Sequence, residues 1–252
     1  LSNALVGQKV AIVTHKAQTT RARLRAVVMH EQSQVVLVDT PGIFSGVKKL
    51  DKAMVQEAWS GAEEADAVLV VLDASRALPA ETELVLAGVK GTSKPVILVL
   101  NKVDAVKREK LLELTQQLNE AADFTDTFMV SALKGTGLEE LKNYLANLLP
   151  EGPWHYPEDM AADVPSLLLA AEVTREKLFL RMHQELPYAL TVETESWKRQ
   201  KDGSVRLEQV IFVRRDSQKA IVLGKRGQSI REIGSQARVE MEDVFGHKVH
   251  LF

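Results

Sequence analysis

Three groups of residues follow apolar, β-branched runs directly, and their side chains are of types that bind ligands. The groups are Asp39-Thr40-Pro41-Gly42-Ile43 after residues 34–38, Asn101-Lys102-Val103-Asp104 after residues 95–100, and Ser131-Ala132-Leu133 after residues 128–130. Ligands of open α/β sheets bind at the carboxyl ends of the strands. We therefore expect the three groups to line one edge of a sheet.

The first group suits a metal ion and a phosphate. The Asp39 carboxylate can hold Mg²⁺ directly or through water, and the Gly42 backbone N–H can come close to a terminal phosphate. Asp-x-x-Gly is also a common turn, so this group alone leaves both interpretations open.

The second and third groups suit the recognition of guanine. The Asp104 carboxylate can accept hydrogen bonds from the ring N–H and the exocyclic amine of guanine, whereas adenine presents an acceptor at the ring position. The stem of Lys102 can lie flat on the base, and Asn101 can tie neighbouring loops together. A backbone N–H after Ser131 can meet guanine O6. Each segment alone could equally be an ordinary strand-to-loop turn.

The elements that would position these groups alternate between strand and helix. Apolar runs at residues 34–38, 67–72, 95–100 and 128–130 alternate with helix-like stretches at residues 51–65, 81–88, 107–121 and 137–149. Runs that are apolar on both faces are typical of strands in a covered parallel sheet. The pattern predicts a doubly wound α/β sheet containing all four runs. Asp73, which ends the second run, is expected to cap the turn that follows.

The chain divides into two predicted domains. The first spans residues 1–150, a proline-rich linker spans residues 151–163, and the second domain spans residues 164–252. The second domain has the predicted order helix, strand, strand, helix, helix, strand, at residues 170–184, 188–198, 205–213, 217–223, 228–244 and 248–252. This order indicates a small α+β domain.

The second domain is basic where the first is acidic. Residues 164–252 hold 15 Lys and Arg against 12 Asp and Glu, while residues 1–163 hold 17 against 22. The segment from Arg214 to Arg231, both ends included, contains six basic residues and one acid. This excess indicates an anionic partner or a solvated basic face.

A Gly-x-x-Gly turn lies inside this basic segment, between two predicted helices. It is the type of loop with which KH domains clamp the backbone of single-stranded RNA, although it could also be a plain corner between helices. The candidate RNA-binding residues are Arg214, Lys219, Gly224, Lys225, Arg226, Gly227, Gln228, Ser229 and Arg231.

Composition excludes several other kinds of protein. The chain has 252 residues, of which 45% are hydrophobic and 26% charged, and it has no cysteine. Disulfides, a thiol nucleophile and cysteine zinc sites are therefore excluded. No apolar run approaches the ~20 residues that a membrane helix needs, and an intracellular location is expected.

The order and spacing of the three strand-end groups resemble those of the translation-factor-related GTPases. By this resemblance, Gln18-Thr19-Thr20-Arg21 corresponds to the first switch loop, and Thr20 and Asp39 are the expected magnesium ligands, with Thr19 the second choice after Thr20. The resemblance assigns no catalytic side chain. The phosphate-binding motif Gly-x-x-x-x-Gly-Lys-Ser/Thr does not occur in the sequence. We expect that the sequence starts just after it, rather than that the site has decayed.

A GTPase domain followed by a type II KH domain is similar to the Era family of ribosome-assembly GTPases. The resemblance implies a P-loop-GTPase-like sheet, here without its first strand and phosphate loop, and a smaller α+β type II KH domain. It also implies hydrolysis of GTP to GDP with Mg²⁺, binding of the 3′ end of small-subunit (16S-type) ribosomal RNA, and assistance in 30S subunit assembly. A monomeric, cytoplasmic protein that at times associates peripherally with the inner face of the cell membrane is expected.

Two alternatives remain open from the sequence. The chain could be a KH-type RNA-binding module whose nucleotide site is inactive. It could also be a related bacterial GTPase that acts on tRNA or on the large subunit. An intact phosphate loop encoded before Leu1 would favour the GTPase over the inactive module.

Overall fold

The computed structural model of the chain describes residues 1–14, 16, 24–40, 42, 59–78, 80–163, 165–183 and 186–252. The chain forms two compact units. The first consists of Leu1–Gln8 and Thr20–Asp163, and the second consists of Lys9–Thr19 and Val164–Phe252. The second unit therefore takes in a short segment from near the start of the chain, which the sequence did not indicate.

The first unit starts with a short helix and an antiparallel hairpin. Helix α1 is Ser2–Val6, and strands β1 (Leu24–His30) and β2 (Ser33–Asp39) pair along their whole lengths. The prediction that residues 34–38 lie in the parallel sheet is wrong, because β2 is hydrogen-bonded to β1 and not to the parallel strands. Only two residues separate β1 from β2. The first of them, Glu31, has φ of 52°, and positive φ is typical of tight two-residue hairpin turns.

The other strands of the first unit form the predicted parallel sheet. Its order is β3 (Val68–Asp73), β4 (Val96–Asn101) and β5 (Asp126–Val130). Residues 97–100 of β4 are fully buried, because helices cover both faces of this central strand. Those helices are α2 (Glu81–Val89), α3 (Arg108–Ala121) and α4 (Leu138–Leu148).

Successive side chains of β4 lie on opposite faces of the sheet and belong to two separate hydrophobic cores. Leu98 and Leu100 pack with Leu118 on one face. Ile97 and Val99 pack on the other face with a cluster that includes Leu141 and Leu145. Helices on both faces of a parallel sheet make the unit doubly wound, as predicted.

The segment predicted as a linker is hydrogen-bonded to the hairpin of the first unit. The Val27 N–H donates to Ala161 O at 2.8 Å, and the Asp163 N–H donates to Arg25 O at 2.9 Å. The Gln34 side-chain oxygen accepts from the backbone N–H groups of the two residues 155 and 156, at 2.8 and 3.0 Å. Residues 155–156 and 161–163 are therefore held along the hairpin.

The second unit has the predicted order of elements. Helix α5 (Ser166–Arg181) precedes β6 (Leu190–Arg199) and β7 (Val205–Val213), which are followed by α6 (Asp216–Leu223), α7 (Gln228–Phe245) and β8 (Val249–Leu251). Strands β6 and β7 are antiparallel, and β8 pairs parallel to β7. The buried side chains of α5 and α7 pack against this sheet in two clusters.

Residues near the start of the chain are fastened to α5. The Lys9 ammonium contacts the carboxylates of Glu176 and Glu240, and the Val13 N–H donates to Glu176 Oε2 at 2.7 Å. The Lys16 ammonium donates to the backbone oxygens of residues 179 and 182 at the end of α5. These contacts explain why residues 9–19 group with the second unit. In the part of the chain that the structure describes, no helix is both long and apolar enough to cross a membrane.

Candidate nucleotide and RNA sites

The Asp39 group lines a large cleft in the first unit. The cleft has a volume of about 1390 Å³ and runs between β2 and β3, with Asp39, Thr40 and Gly42 in its wall. This volume exceeds that of most small-molecule pockets, which are roughly 300–1,000 Å³. Asp39, Thr40 and Gly42 therefore border open space at the end of β2.

Asp39 is a half-buried carboxylate at the end of β2. Burial raises the pKa of Asp39, and a 3.3 Å hydrogen bond from Ser2 Oγ offsets this only in part. A cation beside the carboxylate would restore its ordinary ionisation. The residue thus fits a magnesium ligand.

No three His, Cys, Asp or Glu side chains cluster as a metal site among the residues that the structure describes. Magnesium that is bound together with a nucleotide needs only one or two protein ligands, since phosphates and water supply the others. A lone carboxylate at Asp39 is compatible with such an ion.

The Asn101 side chain joins the second and third groups. Its Oδ1 accepts hydrogen bonds from the Lys102 N–H at 2.8 Å and from the Ala132 N–H at 3.1 Å. Strands β4 and β5 are parallel neighbours, so their carboxyl ends bring these loops together. Asn101 therefore connects the loop after β4 to the loop after β5, which is the role predicted for it from the sequence.

Asp104 and Ser131 form the second link between the loops. The Ser131 hydroxyl, fully buried, donates to Asp104 Oδ1 at 2.6 Å and accepts from the Lys134 N–H at 3.0 Å. Asp104 itself is exposed, and only its Oδ1 is engaged in this link. One carboxylate oxygen is thus fixed by the protein, while Oδ2 is available to a ligand.

The remaining residues of these groups differ in their surroundings. Val103 packs against the core beneath β4, and Leu133 is 82% exposed. Val103 therefore supports the loop, whereas the Leu133 side chain faces solvent.

Gly137 sets the shape of the loop that carries Ser131. Its φ is 71°, and a Cβ built there would lie 2.4 Å from Met129 O. Only glycine allows the chain to turn this close to β5 before α4 begins. The Ser131 N–H then donates to Thr136 O at 2.9 Å, which closes the loop.

Lys102 has a partner that the sequence did not identify. Its ammonium donates to Asp73 Oδ2 at 2.7 Å, across the ends of β3 and β4. Asp73 also caps its turn as predicted, since its Oδ1 accepts from the Ser75 N–H at 3.0 Å and the Ser75 hydroxyl at 2.5 Å. The pairing depends on parallel register between β3 and β4, which the sequence pattern alone does not set.

Six of the predicted residues lie outside the described part of the chain. They are the four switch residues, which include the candidate magnesium ligand, and two residues that flank Gly42: Gln18, Thr19, Thr20, Arg21, Pro41 and Ile43. Their assigned roles stay predictions.

The Gly-x-x-Gly loop of the second unit forms a tight corner between α6 and α7. Gly224, Arg226 and Gly227 all have positive φ, at 70°, 52° and 75°. A Cβ at Gly224 would lie 2.6 Å from the Ser229 Cβ, so this position requires glycine. Arg181 of α5 contacts the first turns of α7, which follow the corner. Its Nε donates to Ser229 Oγ at 3.2 Å, and its guanidinium forms an ion pair with Glu232 at 2.5 Å.

The predicted RNA-binding residues lie before, in and after this corner in the sequence, and most of them are exposed. The exposed members of the set are Arg214, Lys219, Lys225, Arg226, Gln228 and Arg231. Exposed apolar side chains lie on β7 and α6, with Phe212 45%, Ile221 57% and Leu223 41% exposed. Cationic groups beside apolar surface suit a ligand with a phosphate backbone and planar bases.

Comparison with known families agrees with the two units. A model described as 50S ribosome-binding GTPase matches residues 1–102, and a model described as KH domain matches residues 185–252. The first match includes the Asp39 group and the start of the Asn101 group, and the second includes the Gly-x-x-Gly corner.

Curated relatives match over the whole length of the chain. It is 54% identical to GTPase Era of Sinorhizobium medicae and covers 81% of that protein. It is 55% identical to GTPase Era of Afipia carboxidovorans and covers 82% of it. All 252 residues are aligned in both comparisons.

Two solved structures have the same fold over 99% of the chain. One is Era in complex with MgGDPNP and nucleotides 1506–1542 of 16S ribosomal RNA, at 36% identity and a TM-score of 0.93 over 85% of that protein. The other is a single-residue variant of Aquifex aeolicus Era bound to GDP·AlF4⁻, at 37% identity and a TM-score of 0.92 over 86% of it.

Proposed function

The chain belongs to the Era family of GTPases, and from this premise we propose that it binds guanine nucleotide in its first unit and single-stranded ribosomal RNA in its second. The observation that carries the proposal is the pair of hydrogen bonds that the loop at residues 131–132 donates to the side chains of Asn101 and Asp104. They hold a base-reading carboxylate in a fixed loop.

In the proposed guanine site, Asp104 reads the base edge and Lys102 lies against the base plane. Asp104 Oδ2 accepts from the ring N–H or the exocyclic amine of guanine, and an N–H of the loop after Ser131 donates to O6. Adenine has no donor at its N1, so it would leave the carboxylate unpaired. Exposed Leu133 supplies apolar cover for the base.

In the proposed phosphate site, Asp39 and Gly42 face the nucleotide phosphates from the wall of the cleft. Mg²⁺, when bound, neutralises phosphate charge there. Asp39 and Thr20 would hold it, and the Gly42 N–H would contact the terminal phosphate. An Era relative has been solved with MgGDPNP, which supports the choice of ion and nucleotide.

In the proposed RNA site, the Gly-x-x-Gly corner approaches the RNA backbone closely. Lys225 and Arg226 neutralise phosphates, and Phe212 and Ile221 contact bases. The RNA of the solved Era complex is nucleotides 1506–1542 of 16S ribosomal RNA, so we propose the 3′ end of small-subunit RNA as the ligand and 30S assembly as the process.

We also propose a monomeric, cytoplasmic protein that at times associates peripherally with the inner face of the membrane. This part of the proposal rests on family resemblance. Cell fractionation and sedimentation of the protein expressed from its whole gene would test it, and an integral membrane pool that resists alkaline extraction would contradict it.

The nucleotide part of the proposal is tested by calorimetric titration of the protein expressed from its whole gene with GDP and, separately, ADP in Mg²⁺. We expect GDP to bind at least about 100-fold more tightly, because the hydrogen bonds to the guanine edge have no equivalent in adenine. Equal affinities, or no binding of GDP, would contradict the proposal.

A further inference from the structure

The Lys102 side chain spans the ends of two strands. Asp73 and Asn101 are paired residues in the parallel register of β3 and β4. The backbone of Lys102 is held by Asn101 Oδ1, and its ammonium is held by Asp73 Oδ2 at 2.7 Å. Both ends of this side chain are therefore fixed, while 52% of it stays exposed.

Asp73 is itself fixed and ionised. Burial alone would raise the pKa of Asp73, but hydrogen bonds from Lys102 and Ser75 outweigh that effect and hold this pKa below its usual range. The two carboxylate oxygens have separate partners, since Oδ1 accepts from Ser75 and Oδ2 accepts from Lys102. Arg76 is a weaker second cation, at 3.5 Å and 64% exposed.

We propose that Asp73 is a positioning residue for guanine recognition, which holds the Lys102 stem stretched across the strand ends so that a bound base lies against it. This inference rests on the proposed guanine site. A free lysine side chain loses rotamer entropy when a ligand orders it. Anchoring the ammonium in advance removes part of that cost from binding.

The geometry also explains why the anchor is an acid on β3 and not on the Lys102 loop itself. Asp104, the base-edge reader, is two residues after Lys102, and its Oδ1 is already occupied by Ser131. An anchor on the neighbouring strand holds the stem across the ends of β3 and β4. The edge reader and the face of the stem then meet the base from different directions.

The test is a double-mutant cycle on GDP affinity, measured by displacement of a fluorescent GDP analogue from the protein expressed from its whole gene. The four proteins are wild type, Asp73→Ala, Lys102→Ala and the double variant. We expect Asp73→Ala to weaken GDP binding about three- to tenfold in the wild type and hardly at all in the Lys102→Ala background. A residue that only caps the turn would give the same loss in both backgrounds, which would overturn the inference.

Two control variants isolate the anchor. Ser75→Ala removes a turn hydrogen bond and Arg76→Ala removes the weaker cation, and both should retain wild-type affinity. If Asp73→Ala does not fold, Asp73→Asn keeps the turn acceptor and loses the charge, and it should show the same cycle. Unchanged GDP affinity in Asp73→Ala would overturn this inference and leave the proposed function standing. A wild-type protein that binds no GDP would overturn the proposed function itself.

Discussion

At the residue scale, the proposed base reading depends on how the two oxygens of Asp104 are used. Ser131 occupies Oδ1, so Oδ2 is directed by an existing hydrogen bond. Ser131 is fully buried and is held in turn by the Lys134 N–H. The orientation of the carboxylate is thus set before a ligand arrives, which lowers the entropy cost of binding.

Asp104→Asn should remove most of the guanine selectivity. An amide nitrogen would meet guanine donors with a donor of its own, at a cost of roughly 2–4 kcal/mol in GDP binding. Calorimetric titration with GDP measures the loss. Asp123→Asn is the matched control, because Asp123 is exposed and lies outside the candidate site. An Asp104→Asn protein that binds GDP as tightly as the control would disprove the assignment.

At the element scale, strand ends and tight glycine turns place the groups. The residue types of these turns were visible in the sequence, and the placement of the Asn101 and Ser131 groups follows from parallel pairing of β4 and β5. Strand β1 was missed because Leu24–His30 contains an arginine and a histidine and lies beside a stronger apolar run. Without β1, the run at residues 34–38 looked like a strand of the parallel sheet.

Gly137→Ala should destabilise the first unit and weaken GDP binding together. The substitution adds positive-φ strain and a contact with Met129 O at 2.4 Å, so we expect a loss of about 2–4 kcal/mol in the free energy of unfolding. Gly135→Ala is the matched control. Gly135 also has positive φ, 78°, but nothing lies within 4 Å of its added Cβ, so only about 1 kcal/mol should be lost. Equal losses in urea unfolding would show that the close approach is unimportant.

The Gly-x-x-Gly corner should account for most RNA affinity. Changing Lys225 and Arg226 together to Asp replaces two cations with two anions, which should abolish binding of a labelled small-subunit 3′-end RNA and leave GDP binding intact. The double change of Arg199 and Lys201 to Asp is the matched control, since both lie exposed in and beside the turn from β6 to β7. Anisotropy titrations at two salt concentrations compare the variants, and equal affinities would rule out the corner as the RNA site.

At the scale of the whole molecule, the chain passes from the first unit into the second at residues 9–19 and then returns. This path could not be predicted from sequence patterns, because it depends on Lys9 meeting Glu176 and Glu240, which lie far along the chain. The predicted first switch, residues 18–21, begins within this segment. The contrast between an acidic first part and a basic second part, and the change in the order of elements, were visible in the sequence.

The ion cluster at Glu176 should make stability depend on acid pH. Burial alone would raise the pKa of Glu176, but hydrogen bonds from Lys9, Val13 and Lys177 hold this pKa below its ordinary value of 4.5. The associated stability is present above that value and is lost as pH falls through the lower folded pKa. Glu176→Gln should therefore lose about 2–4 kcal/mol at pH 7 and less at pH 3.

Urea titrations at both pH values measure this difference. Glu208→Gln is the control, because its pair with Arg206 is 2.9 Å long but well exposed and should contribute less than about 1 kcal/mol. A Glu176→Gln loss that is the same at pH 3 as at pH 7 would contradict the role of the charge.

The most direct test of the central claim is single-turnover GTP hydrolysis by the protein expressed from its whole gene, with and without a small-subunit 3′-end RNA. A GTPase whose RNA site communicates with its switch loops should hydrolyse GTP but not ATP, and RNA should accelerate the reaction at least about tenfold. The Lys225 and Arg226 double variant should keep the basal rate and lose the acceleration. Hydrolysis that does not discriminate GTP from ATP, or a GTP rate that RNA leaves unchanged, would contradict the claim.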